Sequence, residues 1–298
     1  MDRRNFLQSF AHLGTAGVFG AVAPAIIWSR SVSAAMGGDN ADRAHHKFDL
    51  LLAEAVANKK LLLAARTERE GHEITLTFAA TRPRPAPSPT PISQRATNLI
   101  VAFEVSDEKA YVRDYQHPTW PKGASGVTIG IGYDIGYVKR DWLHEDWIGM
   151  IPDPQIQSLD VACGVKGRPA DDLLSPLRSV VVSWDVAMQE FLKWTQPRTV
   201  AETEVALPNT KSLSPDSLGA LVSLVYNRGA NFFDPAGRYR EMYALRQHME
   251  AKEFAKIPAE IRAMKRLWSS DRNMAGLVRR RELEAVLFEA GLAGAPAT

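Results

Sequence analysis

The chain has 298 residues, 45% of them hydrophobic and 23% charged, with no repeat period. That composition excludes collagen, coiled-coil, solenoid and wholly disordered chains, and the length suits one large domain or a domain of roughly 200 residues with an appendage. The formal charge is +2, but residues 1–35 carry Arg3, Arg4 and Arg30 against Asp2 alone, and without them the basic and acidic residues balance at 33 each. A neutral body offers no global attraction to nucleic acid or to an anionic membrane. The single cysteine, Cys163, rules out an intramolecular disulfide, and Ala162, Gly164 and Val165 beside it do not suggest a nucleophile.

Asp2-Arg3-Arg4-Asn5-Phe6-Leu7-Gln8 resembles the twin-arginine export signal, and an apolar Gly/Ala-rich run from Leu13 to Ile27 follows, then Arg30 and the small residues Ser33-Ala34-Ala35. The resemblance implies a signal peptide over 1–35, cleavage after Ala34 or Ala35, and a periplasmic or secreted protein. The apolar run is interrupted by Pro24 and falls short of the roughly 20 residues a span needs, so no stable membrane anchor is expected after processing.

Residues 36–80 read as a small helix-strand unit of unknown role: a helix from His45 to Glu68 with Phe48, Leu51, Leu52 and Ala55 on one face, then alternation over Glu73–Phe78 as in a half-buried strand. Such a unit buries little by itself and is a candidate surface for an envelope protein partner. Pro83, Pro85, Pro87, Pro89 and Pro91 occupy every second position, which favours extended geometry and marks 81–93 as a linker or strap. If the segment up to Pro91 is an autoinhibitory strap, deleting it raises activity. The main domain is expected over 94–292: a helix from Ile92 to Glu104, a Gly-rich β segment from Gly126 to Tyr137, and helices over Ser183–Trp194, Ser214–Arg228, Tyr239–Ala251, Phe254–Met264 and Asn273–Gly291.

The chemistry concentrates around Gly126-Val127-Thr128-Ile129-Gly130-Ile131-Gly132-Tyr133-Asp134. A dinucleotide loop is excluded, because three residues, not two, separate Gly132 from Gly136 and no parallel βαβ pattern surrounds it. A straight strand would hold Thr128 and Asp134 about 20 Å apart. A hairpin turning at Ile131 between the two glycines makes them cross-strand partners with Cβ atoms about 5 Å apart, a hydroxyl facing a carboxylate. Such a pair can hold and deprotonate water, and bond cleavage at a glycosidic oxygen also needs an acid. Glu104 closes a helix behind Leu99, Ile100, Val101, Ala102 and Phe103, where the negative helix end and apolar neighbours both favour its protonated form.

At these residues the chain resembles the lysozyme-like muramidases, the phage-type lysozymes (glycoside hydrolase family 24) and their pesticin-like relatives. Phe103-Glu104, Thr128 to Tyr133, Tyr226-Asn227-Arg228-Gly229 with Asn231-Phe232, and Gly276-Leu277 with Arg280-Arg281, Glu284 and Leu287-Phe288 fall in family order. The resemblance covers about 94–291. It implies an α+β, mainly α fold, a small β-hairpin lobe and a larger helical lobe around a cleft, binding the glycan strand of peptidoglycan and cleaving between N-acetylmuramic acid and N-acetylglucosamine, a bacteriolytic and antimicrobial chemistry. Phage-type enzymes put the second carboxylate about six residues before the Thr, where this chain has Lys122; pesticin-like enzymes put it six after, where Asp134 stands, and Asp114 is the alternative. Glu104, Thr128 and Asp134 are therefore the candidate catalytic residues, and Tyr133, Asn227, Tyr115 and Trp120 the candidate sugar contacts. Asn227 reads equally as part of a helix end closed by Gly229, and Trp120 and Tyr115 as residues pinning their own loop. The basic stretch Arg262, Lys265, Arg266, Arg272, Arg279–Arg281 reads as a solvated face with internal pairs to Glu282 and Glu284. His45-His46 lacks further ligands at zinc spacing, so no metal and no cofactor are expected. A lytic transglycosylase and a catalytically silent wall-binding module are the competing functions.

Overall fold

The computed structural model describes residues 32–59, 61–62 and 84–294. The expected signal region up to residue 31, the expected strand Glu73–Phe78 and Pro83 lie outside the described residues. In chain order the α-helices are α1 (Val32–Ala57), α2 (Gln94–Val105), α3 (Glu108–Asp114), then α4 (Arg140–Trp147), α5 (Asp153–Leu159), α6 (Arg168–Asp172), α7 (Trp184–Glu190), α8 (Gln196–Ala206), α9 (Pro215–Arg228), α10 (Arg240–Glu250), α11 (Ile257–Ala263) and α12 (Ala275–Ala293). Between α3 and α4 lies the antiparallel pair β1 (Thr128–Ile129) and β2 (Tyr133–Asp134), in register Thr128↔Asp134 and Ile129↔Tyr133. The protein is α+β and mainly α, with the lysozyme-like arrangement of one small hairpin against helices.

Two apolar cores explain the two lobes. The first gathers α1, α10, α11 and α12 around Phe48, Leu52, Met242, Ile261, Leu283 and Phe288; the second gathers the hairpin, α4, α5 and α7 around Ile129, Tyr133, Trp147, Leu159 and Phe191. Helix α2 belongs to both: Leu99, Ala102 and Phe103 enter the first core, Ile100, Val101 and Val105 the second. It begins where Ser93 Oγ accepts the Ala96 amide at 3.2 Å, satisfying one of the orphan donors of a first turn. It ends at Ser106, whose amide bonds Ala102 O at 3.0 Å and whose φ of 73° turns the chain away. Glu104 is thus held in the last turn, at the seam of the two cores. Helix α9 spans the same seam, with Leu218 and Val222 on one side and Leu221, Leu224 and Val225 on the other.

Helix α1 begins well before the expected His45 and breaks after Ala57, with residues 59 and 61–62 helical again; residues 63–68 of the expected helix lie outside the described residues. Its Phe48, Leu52 and Ala55 are buried in the first core, and the hydrogen bond His45–Asp216 (2.7 Å) and the ion pair Arg95–Asp49 (3.0 Å) fasten its flank. The Pro-rich stretch lies along the body: the Ser88 amide donates to Pro197 O at 3.0 Å and Thr90 Oγ1 to Glu204 Oε1 at 2.6 Å. The helix expected to stop at Trp194 instead continues. Pro197 lacks the N–H of a regular turn, and a π turn over Phe191–Thr195 widens the backbone ahead of it, so α7 runs on into α8.

Candidate active site

The hairpin turns on Gly130-Ile131-Gly132, with φ of 58° and 73° at the two glycines, a left-handed geometry that side chains disfavour. This is the turn the glycine spacing demands, and it sets Thr128 opposite Asp134. Both side chains converge on Gly126: Thr128 Oγ1 lies 3.4 Å from Gly126 O, and Asp134 Oδ1 accepts the amides of Gly126 (2.9 Å) and Gly136 (3.0 Å). The close approach of Gly126 to Gly136 leaves no room for a Cβ at either. Thr128 also pairs through its backbone with Thr119, so the stretch Tyr115–Ser125 contributes an edge to the hairpin.

Glu104 is buried to within 9% of its side-chain surface, and Oε1 accepts from Arg280 Nη1 at 3.0 Å. Sequence reasoning supplied Glu104 with apolar neighbours and a helix end; the structure adds this guanidinium. Arg280 bonds Glu284 Oε1 (3.3 Å) and Ser223 O (3.1 Å), while Arg281 bonds the same Glu284 oxygen (3.0 Å) and Asn227 Oδ1 (2.9 Å). Arg280, Arg281 and Glu284 are fully buried. Glu284 bonds both guanidiniums, and Glu104, whenever it has given up its proton, completes a set of two negative and two positive groups, the condition under which buried ions are tolerated. The spacing of Arg280, Arg281 and Glu284, three and four residues apart on one helix, was the available signal for this network; its burial had none. Next to Asn227, Tyr226 donates its hydroxyl to Ile131 O at 2.5 Å, so α9 touches both the hairpin tip and the Glu104 network.

The other expected residues fall as follows. Tyr133 points inward, 5% exposed, its hydroxyl donating to Asp146 Oδ2 at 2.7 Å and its ring meeting Trp147 edge-on. Burial, and then the Asp146 charge, push that hydroxyl well above the ordinary phenol range, so it acts as a donor. Trp120 Nε1 donates to Ser125 O at 2.9 Å within its own loop, and Tyr115 packs half-buried on the second core. Asp114 closes α3 in a pair with Arg113. Gly229, at φ 74°, ends α9 with its amide on Val225 O. The basic stretch is engaged in pairs: Arg262 with Glu282 and Glu289, Lys265 with Glu282, Arg266 with Glu241, Arg279 with Glu54. Burial and the neighbouring Asp160 push the Cys163 thiol up to about 11, the opposite of an activated nucleophile. Among the described residues no three His, Cys, Asp or Glu side chains gather as a metal site, and no helix is long and apolar enough to cross a membrane.

A hairpin-bearing core and a helical core, joined at a helix that ends in a buried glutamate, define a lysozyme-like α+β protein. Residues 181–284 match the family model described as phage lysozyme. The matched segment holds Ser223, Tyr226, Asn227, Arg280, Arg281 and Glu284; Glu104, Thr128 and Asp134 precede it. A search of curated proteins returns no match to the chain.

Proposed function

We propose that the protein is an exported peptidoglycan hydrolase, a muramidase cleaving between N-acetylmuramic acid and N-acetylglucosamine. The observation that carries this reading is that Glu104 is bonded by Arg280, a residue of the segment similar to phage lysozyme, and that α9 of that same segment reaches the hairpin tip through Tyr226. Glu104 donates its proton to the glycosidic oxygen as the C–O bond breaks. Asp134, with Thr128, holds a water on the opposite sugar face and takes its proton as the water oxygen bonds the anomeric carbon. One proton is given and one taken, and exchange with solvent resets both carboxyl groups. Direct attack by water inverts the anomeric centre and requires carboxyl groups roughly 6.5–9.5 Å apart, wide enough to admit that water.

Asn227 and the half-buried Tyr115 and Trp120 are the side chains proposed to meet the glycan. The export signal and a periplasmic or secreted site belong to this reading, since the wall lies outside the membrane. Digestion of purified peptidoglycan by the wild-type chain and by a folded Glu104→Gln variant tests it. Reducing muropeptides from the wild type, and a loss of about 100-fold or more in the variant, are expected of a general acid. Anhydro products would assign a lytic transglycosylase, and binding without products a wall-binding module.

A further inference from the structure

Asp146, near the end of α4, is wholly buried and receives donors from three distant parts of the chain. Arg84, from the Pro-rich stretch before α2, grips it with both terminal nitrogens, Nη1 lying 3.1 Å from Oδ1. Arg198 of α8 donates from Nη1 to Oδ1 at 2.5 Å, and Tyr133 of β2 donates to Oδ2 at 2.7 Å. Glu145 stands 3.8 Å and 3.9 Å from the two guanidiniums, which rest over the rings of Trp142 and Trp194 at 5.2 Å and 4.8 Å. The cluster is built as the Glu104 network is, with two cations matched to two carboxylates.

A hairpin of two residues per strand has little stability of its own, so contacts with the body must fix its orientation. Tyr133 is such a contact, and Asp134 is its neighbour on a strand whose successive side chains point to opposite faces. Any roll of β2 that frees the Tyr133 hydroxyl therefore swings Asp134 away from Gly126 and Gly136. A buried carboxylate deprived of one of its donors costs more to keep than a solvated one, and relaxes toward whatever donor remains.

We propose that Arg84 is a positioning residue for the reaction: the segment amino-terminal to the hairpin lobe reaches across to clasp Asp146, which fixes Tyr133 and through it Asp134. The extension then serves activity instead of obstructing it. This rests on the muramidase reading, and its tests include one that does not need turnover.

In the full chain, Arg84→Ala and Tyr133→Phe should each lower kcat by about tenfold to a hundredfold, as a misplaced reacting group does. KM and sedimentation with the wall should stay close to wild type, and the double variant should be no slower than the slower single one. Guanidinium ion at a non-denaturing concentration should restore Arg84→Ala but neither Tyr133→Phe nor Glu104→Gln. Hydrogen exchange at the Gly126 and Gly136 amides, which Asp134 holds, should quicken in Arg84→Ala while the amides of α2 keep wild-type protection. A lowered Tm with wild-type kcat, or unchanged exchange at those two amides, overturns the clasp; a raised kcat makes the segment inhibitory and overturns it too. A wild-type chain without products overturns the muramidase reading and, with it, any role of Arg84 in that reaction, even where exchange shows the hairpin loosened.

Discussion

In the proposed reaction Asp134 has a second task beside holding the hairpin, and its variants should separate the two. Oδ1 bonds two backbone amides, so Asp134→Asn keeps an acceptor there while losing the charge that, in the proposed reaction, would take a proton from water. Its kcat should fall about 100-fold with Tm little changed, whereas Asp134→Ala should lose both activity and hairpin stability. Glu190 is a second carboxyl whose setting is measurable. Full burial first, and the Asp146 charge as well, push it up to about 8 against the pull of the Thr195 hydroxyl and of Arg198 and Arg84. The unfolded chain ionises Glu190 near the ordinary carboxylate range, so between that range and about 8 folding takes up a proton. Stability from this group is full at low pH and declines by about 1.4 kcal/mol per unit as pH rises through that window. Glu190→Gln should flatten this slope in Tm against pH; an unchanged slope would refute the assignment. The place of Glu104 in the last turn of a helix and the pairing of Asp134 with Thr128 were legible because a helix end and a Gly-x-Gly turn have local signatures. Arg84, Asp146 and Arg198 were not, because their bonds join positions 62 and 52 apart and no local pattern records them.

At the level of the element, α2 and α9 carry the seam, and one glycine lets them approach. A Cβ on Gly219 would stand 2.2 Å from the Ala96 Cβ, so Gly219→Ala must push the helices apart. A cost of about 1–3 kcal/mol is expected in urea unfolding, and Ala96→Gly in the same chain should recover most of it. A substitution without cost would mean that the helices are less closely packed than they stand here. The capped starts of α2 and α9, at Ser93 and Ser214, agree with their expected positions to within two residues, because a Ser cap followed by apolar periodicity is a strong local cue. The continuation of α7 into α8 was hidden by Pro197, which locally means a stop and is overruled only by the π turn. The short helices α3 to α6 were missed as well, being single turns or two whose order comes from packing on the second core rather than from propensity.

For the whole molecule, the question is whether residues before the Pro-rich stretch are a separate unit. Phe48 is fully buried among residues of α12 and its neighbours, so Phe48→Ala should lower the Tm of the entire chain in one transition, by about 3–5 kcal/mol of stability. A separate unit would leave the main transition where it was. The buried quartet of Glu104, Arg280, Arg281 and Glu284 has a further consequence, for descent rather than for chemistry. Two helices, α2 and α12, meet there through groups that balance only as a set, a third, α9, joins through Ser223 and Asn227, and Glu284 serves both arginines. Any lineage that alters one member passes through an ancestor with a stranded buried ion, so drift at these positions is closed to single steps. They are expected to change together or stay as they are, while exposed positions such as Glu108 and Lys109 vary more freely.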